Sequence, residues 1–391
     1  MVYTPTSWVN GTGPFINADN LNKIEQGIAD AHLLIPAGGS TIAYEMPLSS
    51  FSGADDDAKL TTAMSHMAQQ TYKGGTIVLD EDKQYTFSTK QPLYSGFSIR
   101  GSSRPTDQLR AASSTSNKVR VRTSGGWFYL NQSQTFSCSF QGLSIDGTSS
   151  TRLLDGHSSN VLWTSVFRDN TSVNAANVLG SESQRLLVTA CLVDGFWNVN
   201  NTQDSAFVLG GSDFYFNPSM MLLDAGGFLT ASDYIFRSEY LSNSWISNIY
   251  ITAEGHRAFS LSGSNTGSVS NWIQNCVIEG RNENDYSPGA LVRCSGGQHI
   301  LRDNRYAFAM GDVGTSDGGA IHVTGGHLSV LGGTYQRATG VGTSVPFVYA
   351  SGGKVRIRDI VGTDYTSTKP IAYQTTEGLI DADDSVTVQT A

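Results

Sequence analysis

Apolar and polar residues alternate in short runs along most of this chain, and the runs end at Gly, Asn, Ser or Asp. From residue 97 onward this pattern is nearly continuous, and long helical periodicity is almost absent. Alternation with a period of two is typical of strands, whose successive side chains point to opposite faces of a sheet. The pattern therefore predicts a chain that is mainly β.

Several of these runs resemble one another at a regular spacing. The Trp-Ile-x-Asn sequences that begin at Trp245 and Trp272 lie 27 residues apart, and residues 189–195 parallel residues 274–280. Acids followed by Gly or Asn recur 23 to 25 residues apart: Asp146, Asp169 and Asp194, then Glu254, Glu279 and Asp303. A strand-and-turn repeat of about 20–30 residues indicates the coils of a β-solenoid. A β-propeller repeats at about 40–50 residues, and a β-sandwich has no self-similar coils.

Two helices are predicted ahead of the strands. The first has the a/d spacing of a coiled coil at five apolar positions, which are Leu21, Ile24, Ile28, Ala31 and Ile35. One amphipathic helix packed on its own domain is the alternative. The second helix, near residues 55–70, has an apolar stripe formed by Leu60, Ala63, Met64, Met67 and Ala68. The aspartates at 55–57 lie at the start of this helix and are predicted to cap its N-terminus. They lack the alternating spacing of an EF-hand loop, which argues against calcium binding.

Two segments carry family resemblances. The stretch from Trp8 to Ile28, with Ile16-Asn17-Ala18 and Leu21-Asn22-Lys23-Ile24, resembles a module at the start of bacteriophage tail-fibre and tail-appendage proteins. That resemblance implies a virion protein, usually trimeric, attached through this end. The order Gly-Ala-Asp-Asp-Asp, helix, Gly-Gly-Thr-Ile-Val-Leu resembles the opening of the pectate-lyase-superfamily domain, although Ala58 replaces the usual Thr. This second resemblance implies a helix that covers one end of a right-handed parallel β-helix.

Together these features predict an all-β fold, a right-handed parallel β-helix with a short N-terminal helical or coiled-coil stem and a capping helix. Residues 1–36 are assigned to virion attachment and trimerisation, and residues 37–75 to a linker and the capping helix. Residues 76–375 are assigned to the β-helix, and residues 376–391 to a C-terminal cap or tail. Residues 204–240 fit the repeat poorly and are predicted to leave the solenoid wall as a loop.

Composition narrows the function classes. Charged residues make up 15% of the chain and aromatic residues 10%, which excludes disorder for most of its length. The net charge of −9 argues against nucleic acid, which requires a cationic surface. No apolar run is long enough for a membrane span, and no secretory signal is visible at the N-terminus. The four cysteines form no C-x-x-C pair and are predicted to be reduced and buried.

The candidate chemistry lies in acids and tryptophans. Glu254 and Glu279 are expected on neighbouring coils, about 5 Å apart if their registers match, and Asp194 occupies a similar repeat position. Such a pair suits a glycosidase, with Arg257 and Arg281 as cationic neighbours; each acid is otherwise a turn residue. The sequence does not decide whether Glu254 and Glu279 align across the coils, because the spacing from Asn248 to Glu254 exceeds that from Asn275 to Glu279. The tryptophans either stack on sugar rings or pack in the interior, and they are Trp163, Trp197, Trp245 and Trp272.

The function predicted is that of a bacteriophage tail spike or tail fibre subunit that binds a host cell-surface glycan. The alternatives are a polysaccharide depolymerase of the same fold, either hydrolase or lyase, and a purely structural tail component. Polygalacturonase motifs are absent, so no family catalytic residue is assigned. The predicted partners are two further copies of the chain, other tail or baseplate proteins through the N-terminus, and a host polysaccharide. No cofactor or metal is predicted, and the location is the virion tail after assembly in the host cytoplasm.

Overall fold

The computed structural model of the chain is almost entirely parallel β-structure. It describes residues 45–69, 74–80, 83–101, 119–123, 128–130, 135–146, 152–155, 161–163, 165–168, 171–173, 177–180, 186–194, 196–200, 207–216, 220–225, 234–254, 257–263, 269–281, 290–309, 320–337, 346–363 and 370–390. The predicted heptad at residues 21–35 lies outside these ranges. Among the described residues, no helix has the length and hydrophobicity to cross a membrane.

The strands wind into a right-handed parallel β-helix, as predicted. Every coil hydrogen-bonds to the next, and the strands stack into three ladders. The first ladder comprises Glu45–Pro47, Gly75–Val78, Phe97–Arg100, Cys138–Gln141, Val166–Arg168, Leu186–Asp194, Phe207–Phe216, Ser244–Ser247, Val269–Gln274, Gln298–Arg302, His327–Leu331, Gly353–Arg358 and Gly378–Ala382. The second ladder comprises Lys83–Phe87, Val119–Thr123, Ser144–Asp146, Thr171–Val173, Phe196–Asn200, Met220–Ala225, Ile249–Glu254, Val277–Arg281, Arg305–Ala309, Thr334–Arg337 and Val361–Gly362.

The third ladder closes each coil. It comprises Gln91–Leu93, Phe128–Leu130, Arg152–Asp155, Asn177–Gly180, Tyr234–Ser242, Arg257–Ser262, Val292–Cys294, Ile321–Val323, Val348–Ala350, Ile371–Gln374 and Thr387–Thr390. The short strand Thr135–Phe136 pairs with Val161–Trp163, which in turn pairs with the first half of Leu186–Asp194. The stacking therefore extends beyond residue 375, because Thr387–Thr390 pairs with Ile371–Gln374.

The capping helix, Asp56–Gln69, follows a short 3-10 helix at Leu48–Ser50. Its predicted stripe is buried at Leu60, Ala63, Met64 and Met67. The Asp55 carboxylate caps the helix, since its Oδ1 accepts from the Ala58 amide at 2.8 Å. Asp56 and Asp57 instead accept from the amides of Thr86 and Ser88, each at 2.8 Å. The triple aspartate thus both begins the helix and joins it to the first strand of the second ladder.

Left-handed corners connect the first ladder to the second. Equivalent corners, with φ between 51° and 67°, lie 27, 28, 29 and 27 residues apart at Asn248, Asn275, Asp303, Gly332 and Asp359. Asn, Asp and Gly tolerate this backbone region better than other residues, so the corners select these residue types. The true repeat therefore follows this corner, and the predicted repeat of acids mixes positions that differ in structure.

The interior is filled by stacked columns of apolar side chains. In the third ladder the rings of Phe207, Phe236 and Phe259 follow one another with centroids 5.8 Å apart. In the first ladder the rings of Phe140 and Phe167 are parallel within 4°, at 5.7 Å. All four cysteines are free and buried, as predicted. Because each coil buries its inner face only against its neighbours, stability depends on the stack rather than on any single coil.

The prediction of a loop excursion at residues 204–240 is wrong for the residues of this segment that the structure describes, 207–216, 220–225 and 234–240. Phe207–Phe216 pairs in parallel with Leu186–Asp194 on one side and Tyr234–Ser242 on the other. Met220–Ala225 pairs with Phe196–Asn200 and Ile249–Glu254. The sequence repeat is not recognisable in this segment because one ten-residue strand spans two ladders and contains a register shift between Leu209 and Gly211.

Candidate functional site

Two tryptophans lie on the outer face of the first ladder. Trp245 and Trp272 are Cα partners on successive coils, and their rings stack with centroids 5.9 Å apart and an interplanar angle of 28°. The flanking residues of each strand, Ser244 and Ile246 for Trp245, are buried, so alternation directs both indoles outward. Trp245 is 36% exposed. The alternative of interior packing is therefore wrong for this pair.

The column that contains this pair changes character along the solenoid. Ile300 is the Cα partner of Trp272, Ser329 of Ile300, and Arg356 of Ser329. The outer face thus passes from outward-facing aromatic rings, of which Trp245 is exposed and Trp272 half-buried, to hydroxyl and guanidinium groups over three coils. A flat apolar platform bordered by hydrogen-bonding groups is suited to a ligand with both apolar faces and hydroxyls.

A polar network lies directly beneath this aromatic pair. The Asn271 amide nitrogen donates to Ser238 Oγ at 3.0 Å and contacts His299 Nδ1 at 3.1 Å, while His299 Nε2 contacts the Gly296 carbonyl at 2.7 Å. A carbonyl can only accept, so the His299 proton resides on Nε2 and Nδ1 accepts from Asn271. Burial lowers the pKa of His299 to about 4, which keeps the ring neutral. The network fixes the backbone that presents Trp272.

A hydrogen-bonded acid lies on the outer face of the second ladder. The Tyr250 hydroxyl donates to Glu279 Oε2 at 2.6 Å. Tyr250 is exposed, whereas Glu279 is half-buried between the buried residues Ile278 and Gly280. Tyr250 was not among the site residues predicted from the sequence. This residue precedes Glu254 on the same strand, and its outward position follows from the alternation of side chains along a strand.

Glu254 and Glu279 lie on neighbouring coils but not opposite each other. The Cα partner of Glu279 is Thr252, and the Cα partner of Glu254 is Arg281. The offset of two residues arises because the stacked corners at Asn248 and Asn275 set the register. From one strand spacing and two residue rises, the two Cα atoms are about 8 Å apart. The expected direct stacking at about 5 Å is therefore not formed.

The remaining predicted site residues are spread over the coils. Asp194 ends a first-ladder strand opposite Arg168. Trp197 is in the second ladder opposite Met221, and Arg257 begins a third-ladder strand opposite Tyr234. The structure therefore brings together two pairs, Trp245 with Trp272 and Glu254 with Arg281, on adjacent faces that meet at the Asn275 corner. It does not gather the whole set in one groove.

Trp163 lies near the corner between the third and first ladders, opposite Thr189. It is separated from Trp245 by the intervening coils of Leu186–Asp194 and Phe207–Phe216. Among the described residues, no group of three or more His, Cys, Asp or Glu side chains is arranged to hold a metal ion.

The fold and this outer face define a right-handed parallel β-helix protein with an exposed aromatic platform. No protein-family model matches the sequence, and no curated protein matches it. Among solved structures, the lidless DFA-IIIase of Arthrobacter chlorophenolicus A6 superposes with a TM-score of 0.65 at 12% identity, covering 88% of this chain and 98% of that one. The same lidless enzyme in complex with GF2 gives a TM-score of 0.60 at 12% identity, again over 88% and 98%.

The A-module of the mannuronan C-5 epimerase of Azotobacter vinelandii aligns at a TM-score of 0.49 and 12% identity, over 88% of this chain and 97% of that one. The DFA-IIIase structures are parallel β-helix proteins. At such identities the likeness establishes the fold and leaves the site to be argued from its own residues.

Proposed function

We propose that this chain is a bacteriophage tail spike or tail fibre subunit that binds a host cell-surface glycan through its outer wall. The observation that carries the proposal is the outward-facing stack of the exposed Trp245 and the half-buried Trp272 on two successive coils. Large flat rings are costly to leave in water, and a repeated pair along the solenoid axis suits successive sugar rings of an extended chain.

Two further observations support the proposal. The solved structures with this fold are carbohydrate-acting enzymes, which makes polysaccharide binding or processing the first class to test. The N-terminal resemblance to phage tail proteins supports attachment to a virion, and the heptad from Leu21 to Ile35 supports a homotrimer. Under this proposal residues 1–36 join the spike to other tail or baseplate proteins.

The test compares wild type with a Trp245→Ala, Trp272→Ala double variant on a panel of immobilised bacterial surface polysaccharides. Removing two central aromatic contacts is expected to lower affinity about tenfold or more. Tyr129→Ala is the matched control, because Tyr129 is also 36% exposed but lies in the third ladder, many coils away. Wild type that binds nothing on the panel, or a double variant that binds as well as wild type, contradicts the proposal.

A depolymerase of the same shape is the second candidate, and the hydrogen bond between Tyr250 and Glu279 favours it. The two-residue offset between the Cα positions of Glu254 and Glu279 makes an inverting glycosidase, which uses the more widely spaced pair of acids, the type to test first. Its assay measures new reducing ends, or the ultraviolet absorbance of an unsaturated lyase product, after incubation with a polysaccharide that the protein binds.

Glu279→Gln is expected to abolish turnover and leave binding largely intact, because the acid is lost and the shape is kept. Asp384→Asn, which changes an exposed acid in a C-terminal turn, is the control. Product formation by the Glu279→Gln variant would show that the reaction does not need Glu279. If wild type forms no product, the protein binds the polysaccharide without cleaving it.

A further inference from the structure

Three consecutive corners between the third and first ladders share one sequence pattern, a hydroxyl residue followed by two glycines. They are Ser295–Gly297, Thr324–Gly326 and Ser351–Gly353. Each hydroxyl bonds to a carbonyl of the preceding coil, with distances between 3.4 and 3.5 Å. The second glycine of each corner has a positive φ, between 73° and 81°. The corners therefore stack in one conformation.

The glycines leave the floor of these corners as bare backbone. A Cβ added at Gly326 meets the Gly297 carbonyl oxygen at 2.6 Å, and one added at Gly353 meets the Gly326 carbonyl oxygen at 2.6 Å. Glycine is therefore required for the close stacking of these corners, and a shallow groove of about 370 Å³ runs along them. Its lining consists of Gly297, Gln298, Gly326, His327, Gly353, Lys354 and Glu377.

One wall of this groove, here called the cationic row, consists of the residues that follow each glycine pair: Gln298, His327 and Lys354. They are successive Cα partners, so an amide, an imidazole and an ammonium group follow one another at about 4.8 Å along the backbone. His327 and Lys354 are exposed. Within the part of the chain that the structure describes, no carboxylate forms an ion pair with Lys354. Lys354 carries the formal positive charge of this row, and Glu377 is the acid of the groove lining.

We propose that the groove binds an anionic saccharide, with the carboxylate of a uronic acid residue on Lys354 and His327 and a neighbouring hydroxyl on Gln298. Glu377 lines the groove at its C-terminal end and repels a second carboxylate there, which limits the charged position to the cationic row. Glycine corners admit the ligand close to the backbone because no side chain fills the floor. The saccharide class rests on the proposed function, but the site is separate from Trp245 and Trp272.

The test is calorimetric titration of the full chain with oligogalacturonate and, as a matched ligand, with its fully methyl-esterified form. The acid form is expected to bind, and the ester is expected to bind at least fivefold more weakly. Lys354→Gln is expected to weaken binding of the acid form about fivefold and to leave the ester unchanged. Arg293→Gln is the charge-matched control, because Arg293 is exposed on the third-ladder strand Val292–Cys294 and lies outside the groove lining; its expected effect is below twofold.

The outcomes separate this site from the aromatic one. Acid binding that survives Trp245→Ala with Trp272→Ala but weakens in Lys354→Gln supports the groove even if the proposed function fails. Wild type that binds neither form, equal binding of acid and ester, or equal losses in Lys354→Gln and Arg293→Gln overturn the proposal. Loss only in the tryptophan variant also overturns it and assigns the ligand to the aromatic face.

Discussion

The buried imidazole of His299 makes the stability of this solenoid depend on pH. Its two nitrogens are engaged by Asn271 and the Gly296 carbonyl, and burial lowers its pKa from 6.5 to about 4. The perturbation that isolates this effect is His299→Gln. A glutamine carbonyl accepts from Asn271 and its amide donates to Gly296, but the side chain does not titrate.

The sign follows from proton uptake. Between pH 6.5 and about 4 the unfolded chain binds a proton at His299 that the folded chain excludes, so stability is present above 6.5 and is lost as pH falls. The loss from this one residue is about 2 kcal/mol at about pH 5. It levels off near 3 kcal/mol, roughly, below pH 4.

Urea unfolding followed by circular dichroism at about pH 7.5 and about pH 5 measures this difference. Comparing wild type with His299→Gln cancels the other titrating groups, so the variant should gain about 2 kcal/mol relative to wild type on acidification. His327→Gln is the control, because it makes the same replacement at an exposed position. Parallel pH profiles for wild type and His299→Gln would refute the reasoning.

Three further predictions follow from burial and from the heptad. Asn304→Leu should destabilise the fold by about 3 kcal/mol in urea unfolding, since it leaves the Cys276 amide and the Ile273 carbonyl unpaired; unchanged stability contradicts this. Thiol reagents at about pH 8 should label none of the cysteines before denaturation, because they are buried, and labelling of the native chain contradicts this. Burial raises the pKa to about 12 for Cys138, Cys276 and Cys294. Ile24→Asp with Ile28→Asp should reduce the mass found by light scattering, and a monomeric wild type refutes the trimer.

The fold was predictable because its signals are local and repeated. The pairing of Trp245 with Trp272 and of Ile246 with Ile273 confirms the alignment of the Trp-Ile-x-Asn sequences. The apolar stripe of the capping helix is buried at the expected positions, Leu60 among them. Each of these features needs only strand alternation, helical periodicity or a repeat length, and all three are properties of the sequence itself.

The arrangement of the acids was not predictable in the same way. Which residues face each other across coils depends on where the chain turns, and the left-handed corners at Asn248 and Asn275 set that position. Aligning the two strands at these corners places Glu254 opposite Arg281, as the structure has it. Aligning them at the acids would place Glu254 opposite Glu279. Both alignments have similar residue types, so only the backbone conformation at the corner distinguishes them.

The coils that carry the tryptophans invert the usual inside-out pattern of a strand. Their interior column is polar at Ser244, Asn271 and His299, while the outer column beside it is Trp245, Trp272 and Ile300. In the following coils the interior becomes apolar at Leu328 and Val355, and the exterior becomes polar at Ser329 and Arg356.

Where both faces of a strand carry apolar and polar residues, the hydrophobic pattern specifies the pairing register of that strand only weakly. The buried hydrogen bonds among Ser238, Asn271 and His299 then supply the specificity, since a slip of one residue would leave these groups unpaired. This inversion also explains why the sequence left the orientation of the tryptophans open. In these coils polar groups are buried and an indole is exposed, which is the reverse of what residue polarity favours. Such departures are expected where a surface is used for binding.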